Sequence, residues 1–346
     1  MILVNNPGTW SAVYAPLRHA EWNGGTFTDL VFPFFLWIAG VAMTLSFARR
    51  VECGDDRWRL LAHTARRAAI LFGLGLAMNG FPNFDLATWR IPGVLQRIAV
   101  CYFAAGAVYL FTTWRGQAIA VLTLLAGYWA LMMLVPVPGV GAGSLAKGAN
   151  LAQYVDGVVL GRHMWSETRT WDPEGILSTL PAIATTLFGV LAGGLLRSGR
   201  PKTARLFAGG GALAVCGLIL SVWMPINKNL WTSSYAVFMA GLAQIVFASC
   251  YWLVDVKGRR RWSRPLAIYG MNALAVYIVS GAVEILPDAI PVGGTPPVSL
   301  HEFLYARFFA PLASPPNASL LWAVSCVLAM YAVAYGMYRR KWFVKV

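Results

Sequence analysis

Between residues 18 and 36 the chain reads Arg-His-Ala-Glu-Trp-Asn-Gly-Gly-Thr-Phe-Thr-Asp-Leu-Val-Phe-Pro-Phe-Phe-Leu. This stretch sets an imidazole (His19), a carboxylate (Glu21), an amphipathic ring (Trp22) and an amide (Asn23) at the mouth of an apolar run. The run then carries Asp29 and Pro33 toward hydrocarbon. An imidazole held by a neighbouring carboxylate in a partly dry pocket can serve as a general base or a nucleophile. Glu21 and Asp29 are the candidate orienting groups. A lone loop histidine usually does no chemistry, and it is this company that separates His19 from His63, His163 and His301. His63 lies among arginines at the edge of an apolar run and reads as interfacial; His163 and His301 lie in long loops.

Further polar groups are expected at the same depth. Arg97 follows Arg90-Ile-Pro-Gly-Val-Leu-Gln96, and Asp172-Pro-Glu174-Gly precedes an apolar run. Asn227-Lys228-Asn229-Leu-Trp231 precedes another, and Glu284 ends a third. Some of these have a plain structural role available. Asp172 before Pro173 suits a helix N-cap with proline at the first helical position, and Glu284 suits an interface. Arg97 is harder to explain that way. It lies about one turn inside an apolar run, where an unpaired arginine costs several kcal/mol. Asp29, or a phosphate or carboxylate on a ligand, is its expected partner. Asn272, in Tyr269-Gly-Met-Asn-Ala, is expected to make an interhelical hydrogen bond. Gly139-Val-Gly-Ala-Gly143 follows no strand and reads as a loop, not a nucleotide fingerprint. HExxH, CxxC and carboxylate-rich metal patterns are absent from the sequence, so no metal is expected. Four of the five cysteines (Cys53, Cys101, Cys216, Cys250, Cys326) fall in apolar runs as small hydrophobes, and no disulfides are expected.

The elements that must position these groups are membrane helices. Of 346 residues, 58% are apolar and only 12% charged, against about a quarter charged in an ordinary soluble domain. Apolar runs of about 20 residues recur along the whole chain, each long enough to cross a bilayer. Nine full spans are predicted, at about 27–48, 60–79, 92–112, 117–135, 175–196, 206–223, 232–254, 266–286 and 318–338. Met1-Ile-Leu-Val-Asn5 reads as the last turn of a tenth, truncated at its N-terminus, and no signal peptide is recognisable. The expected fold is an all-α polytopic bundle forming a single transmembrane domain over 1–346. Pro33 and Pro181 are expected inside their spans, to kink them or loosen a turn.

The net charge of +14 sits in short loops between spans, which argues against a nucleic-acid partner. Alternate loops carry 20 of the 28 Lys and Arg residues, including Arg200 and Lys345; the opposite loops carry 7, and Arg97 lies inside a span. By the positive-inside rule the richer set is cytoplasmic, which places the C-terminus inside and His19 outside. The external loops 6–26, 136–174 and 287–317 are the long ones, so the chemistry is expected on the outer face.

Taken in order, the sequence blocks are similar to those of the heparan-alpha-glucosaminide N-acetyltransferase family of transmembrane acetyltransferases. The resemblance rests on Met-Ile-Leu-Val-Asn5, Arg-His19-Ala-Glu-Trp-Asn-Gly, Asp29-Leu-Val-Phe-Pro-Phe-Phe and Arg90-Ile-Pro-Gly-Val-Leu-Gln-Arg97. It continues through Val135-Pro-Val-Pro-Gly139, Asp172-Pro-Glu-Gly-Ile-Leu177, Asn227-Lys-Asn-Leu-Trp231, Val254-Asp-Val-Lys-Gly258 and Gly270-Met-Asn272. It implies a bacterial-type member, without the large luminal N-terminal part, in the inner (plasma) membrane. The implied reaction moves acetyl from cytosolic acetyl-CoA to the amine of a glucosamine-type sugar on the far side. His19 would be base or acetyl carrier, and Asn5 a second catalytic residue. Glu21, Trp22, Asn23, Asp29, Arg97, Asp172, Glu174, Asn227, Lys228, Asn229 and Asn272 are the candidate binding residues. The partners expected are the lipid bilayer, acetyl-CoA and the amino sugar, with a homodimer left open. Two competing readings are an O-acyltransferase acting on a cell-envelope polysaccharide and a secondary transporter of sugar derivatives, whose site would lie at mid-membrane helix breaks.

Overall fold

The structure, a computed structural model, describes residues 1–198, 202–293 and 297–344. Arg200 and Lys345 of the basic loops lie outside the described residues. Among those described, eight helices are long and apolar enough to cross a membrane. They are α2 (Val31–Glu52), α3 (Arg57–Gly80), α4 (Val94–Phe111), α5 (Trp114–Leu134), α7 (Thr179–Arg197), α8 (Lys202–Leu220), α9 (Ser233–Tyr251) and α13 (Pro315–Arg339). A bent pair, α10 (Arg264–Met271) and α11 (Ala273–Ala289), makes a ninth. The shorter helices are α1 (Ile2–Asn5), α6 (Leu151–Leu160) and α12 (Leu300–Leu304). Two small antiparallel hairpins, Leu145–Ala146 with Ala149–Asn150 and Pro291–Val292 with Val298–Ser299, are the strands among the described residues. The all-α membrane bundle follows from sequence because hydrocarbon leaves a spanning backbone no partner but itself.

Two expectations about the spans are corrected. Pro33 and Pro181 do not interrupt their helices: each is the third residue, in α2 and α7. There the amide that proline lacks is one of those a helix start leaves unused. The span predicted at 266–286 is broken at Asn272, with an 81° bend between α10 and α11. Asn272 does not bond across to another helix. It is 1% exposed, donates to Trp342 O at 3.0 Å and accepts from Val344 N at 3.0 Å, so it ties the C-terminal tail to the break. An amide side chain that satisfies backbone groups where a helix ends competes with continuing the helix.

The chain divides into two compact units, residues 1–19, 26–28 and 253–346 in one and residues 20–25 and 29–252 in the other. The first contains α1 and α10–α13, with Ile268, Val276, Met330 and Ala334 as its core. In the second, α2 and α7 pack closely through Gly40 and Gly189. A Cβ at Gly40 would overlap the backbone of Thr186, and one at Gly189 the carbonyl of Trp37. Small residues permit that approach where hydrocarbon supplies no hydrophobic drive. Trp37, Val41, Ala192 and Ala240 form the adjoining core.

Candidate functional site

In the second unit the polar groups named from sequence converge at one end of the bundle. Asp29 lies in the single 3-10 turn, Thr28–Leu30, that leads into α2, and is 1% exposed. Its Oδ2 accepts from Ala20 N at 3.1 Å, and its Oδ1 lies 3.5 Å from the Lys228 ammonium. Burial pulls the Lys228 ammonium below its ordinary pKa, against the opposing charges of Asp29 and Glu174. Lys228 sits on the loop before α9, which is shaped by neighbouring side chains. Asn227, fully buried, accepts from Leu230 N at 2.9 Å and donates to Asn23 Oδ1 at 3.1 Å. Thr232 caps α9 by accepting from Tyr235 N at 3.4 Å. Tyr235 donates its hydroxyl to Asp29 O at 2.7 Å, joining α9 to the start of α2. Trp22 donates to Leu145 O at 2.9 Å and meets the Trp171 ring edge-on at 5.4 Å. Glu21 and Asn23 are exposed and Asn229 is half-buried.

Arg97 stands in the first turn of α4 and is 2% exposed. Of its two expected partners, Asp29 or an anionic group on a ligand, the Asp29 carboxylate is paired with Lys228. One guanidinium nitrogen, Nη2, donates to Gly175 O at 3.0 Å and to Ser178 Oγ. The cation lies 5.1 Å from the centre of the Trp231 ring. Nε and Nη1 have no hydrogen-bond partner among the described residues. Buried donors left unpaired cost about 1–3 kcal/mol each. Trp231 is itself held in a costly conformation, with φ at +48°, a region that bulky residues rarely adopt. Its Nε1 donates to Thr185 at 3.1 Å, and its ring packs edge-on against Phe32 and Tyr235.

Asp172 does not cap α7. That helix starts at Thr179, and the Asp172 oxygens are taken up elsewhere. Arg90 grips Asp172 with both arms of its fork, at 2.8 and 2.7 Å, and reaches Glu174 at 2.6 Å. Trp165 N and Glu174 N also donate to Asp172, both at 2.9 Å. Burial disfavours the Arg90 cation, but the bonds and charges of Asp172 and Glu174 outweigh it and raise its pKa. Breaking a buried ion pair by removing one partner costs about 3–5 kcal/mol. With Glu174 still on Arg90, Asp172→Ala is expected to destabilise the protein by about 3 kcal/mol. A thermal midpoint unchanged from wild type in the same detergent would refute that expectation.

The remaining candidates belong to the first unit. His19 is exposed and immediately precedes Ala20, whose amide bonds Asp29. Asn5 is half-buried at the end of α1. His301 pairs with Asp288 at 3.1 Å, and, in the second unit, His163 Nδ1 lies 2.9 Å from Trp89 O. Among the described residues no His, Cys, Asp and Glu group could hold a metal. Sequence reading missed Asp156, Ser178, Tyr235 and the ring of Trp231. Asp156 lies in α6, inside a loop that offered no motif. The block Asn227–Trp231 was recognised, but its aromatic end was not given a role.

No protein-family model matches the chain. It is 29% identical over 408 aligned residues to mouse heparan-alpha-glucosaminide N-acetyltransferase, an alignment that takes in all of this chain and 58% of that protein. It is 31% identical over 338 residues to the human protein of the same name, across 80% of this chain and 50% of the human one. A weaker likeness, 26% over 121 residues and 31% of this chain, is to an undecaprenyl-diphosphatase of Hyphomonas neptunium. The chain spans about half the length of the curated relatives it matches best among these. Over most of its length, this chain is a relative of the heparan-alpha-glucosaminide N-acetyltransferases.

Proposed function

We propose that the chain is a membrane acetyltransferase that carries acetyl from acetyl-CoA to the amine of a glucosamine-type sugar across the bilayer. The observation that carries the reading is the buried Arg97 guanidinium with two unpaired donors, beside the Asp29–Lys228 pair. It occurs in a chain similar along its whole length to a named N-acetyltransferase. The uneven distribution of Lys and Arg among the loops supports a cytoplasmic C-terminus and an outer-face acceptor site.

In this reading the unprotonated amine attacks the thioester carbonyl carbon. The C–N bond forms, the C–S bond breaks, and the amine proton passes through His19 to the departing CoA thiolate. Within the second unit, Arg97 offers Nε and Nη1 to an anionic or carbonyl oxygen of the substrate. A two-step variant places acetyl on the His19 imidazole first, releases CoA, and passes acetyl to the amine second.

The test is transfer of radiolabelled acetyl from acetyl-CoA to glucosamine by the purified protein in detergent, beside a sugar bearing hydroxyls only. Label on glucosamine alone is the expected result. Label on the hydroxyl-only sugar would turn the assignment to O-acylation. Uptake of free sugar by proteoliposomes without acetyl-CoA, and no transfer, would mark a transporter.

A further inference from the structure

We infer that Asp156 is a positioning residue, whose buried carboxylate sets the 172–178 turn that aims its groups at Arg90 and Arg97. The inference rests on the proposed acetyl-transfer reading for its kinetic consequence, but not for its structural one. Asp156 is the sole ionisable side chain of α6 apart from Tyr154. It is 2% exposed. Its Oδ1 accepts from Ile176 N at 2.9 Å and its Oδ2 from Asp172 N at 3.4 Å, so one carboxylate holds both sides of the turn. A Cβ at Gly175 would overlap that carboxylate, so the turn is fitted closely to it. Among the described residues, the same turn supplies both hydrogen-bond acceptors of the Arg97 guanidinium, Gly175 O and Ser178 Oγ, and both carboxylates that hold Arg90. Neither Arg97 nor Arg90 forms an ion pair with Asp156 within 4.0 Å. The carboxylate is thus spent on backbone amides. A charge buried without a cation beside it is costly, and fixing the geometry of a guanidinium site is the use this contact pattern fits.

The charged and titratable groups that act on it are Asp172 on the turn, Arg97 on α4 and the Tyr128 hydroxyl of α5, which is bound to Leu230 O. Burial raises the Asp156 pKa to about 6, against the two amide bonds and the Arg97 charge, with the Asp172 charge adding to the rise. Above that pH the ionised carboxylate accepts from both amides. As pH falls through it, one oxygen gains a proton and ceases to be a free acceptor, and the turn loosens.

The experiment compares wild type, Asp156→Asn and Gly175→Ala, each as the full chain in detergent. Hydrogen exchange of the peptide containing residues 172–178 is measured from pH 5 to 8 and normalised to the intrinsic rate at each pH. Wild type is expected to gain protection as pH rises through about 6. Asp156→Asn and Gly175→Ala should exchange faster at pH 7.5, with Asp156→Asn showing no such step. In the transfer assay, Asp156→Asn should lower kcat/KM on the order of 100-fold, as misplacement by about 1 Å does. Its acid limb should lose the step through about 6 that the wild type shows. Unchanged protection and an unchanged acid limb in Asp156→Asn would overturn the inference. Should wild type transfer no acetyl, the enzymatic reading fails and the exchange data alone decide the positioning role. Should Asp156→Asn not fold, Gly175→Ala with wild-type protection would refute it.

Discussion

His19→Ala is expected to lower acetyl transfer to glucosamine by about 10²–10⁴-fold, the usual contribution of a positioned acid–base group. His19 is exposed in the segment that leads into Ala20 and Asp29, so its removal leaves no cavity in a packed core. The melting temperature should therefore hold while activity falls. Added imidazole should restore part of the lost rate if the ring's task is proton transfer. A second measurement separates the two routes: protein incubated with labelled acetyl-CoA and no acceptor keeps label on His19 only if the ring carries acetyl. Transfer by His19→Ala at the wild-type rate would assign the base elsewhere.

Arg97→Met is expected to lower kcat/KM by about 10²–10³-fold, the loss seen when one preorganised donor to a developing oxyanion is removed. The fold should lose little. The arginine has no carboxylate partner, being held by Gly175 O, Ser178 and the Trp231 ring. Methionine fills similar space without a buried charge or unpaired donors, and such replacements are often neutral for stability. Arg97→Lys should not rescue activity. A single ammonium cannot reproduce a fork that bonds the turn with one arm and leaves two donors free. Full activity in Arg97→Met would remove this guanidinium from the site. A large drop in melting temperature would make its role structural.

Much of this protein is legible in its sequence. Long apolar runs have no other way to satisfy their backbones in lipid, so the all-helical membrane class follows from hydropathy, although the run at 266–286 is two helices bent by 81°. Arg97 stood out because an arginine inside such a run demands a reason. The blocks around His19, Asp172 and Asn227 were recognisable as strings of residues.

Partnerships were not legible, because they join residues far apart in the chain. Asp29 and an anionic ligand group are both reasonable partners for Arg97 on sequence, yet Asp29 takes Lys228 and the Ala20 amide, while Arg97 takes a carbonyl, a hydroxyl and a ring. Asp172 followed by Pro173 suits a helix cap on local rules. A guanidinium fork from Arg90 competes better for a carboxylate than the weak pull of a helix start, and the helix begins at Thr179 instead. Asn272 could have bonded another helix or broken its own; the tail at Trp342 and Val344 decided the second. Asp156 had no signal at all. Its sequence context is an ordinary short apolar helix, and only folding brings the 172–178 turn onto its carboxylate. The sequence by itself thus determined the bundle and which side chains must be accounted for in it. Which carboxylate holds which cation, and which donors are left free, was decided by tertiary structure, since electrostatic pairing depends on distances that no local pattern encodes.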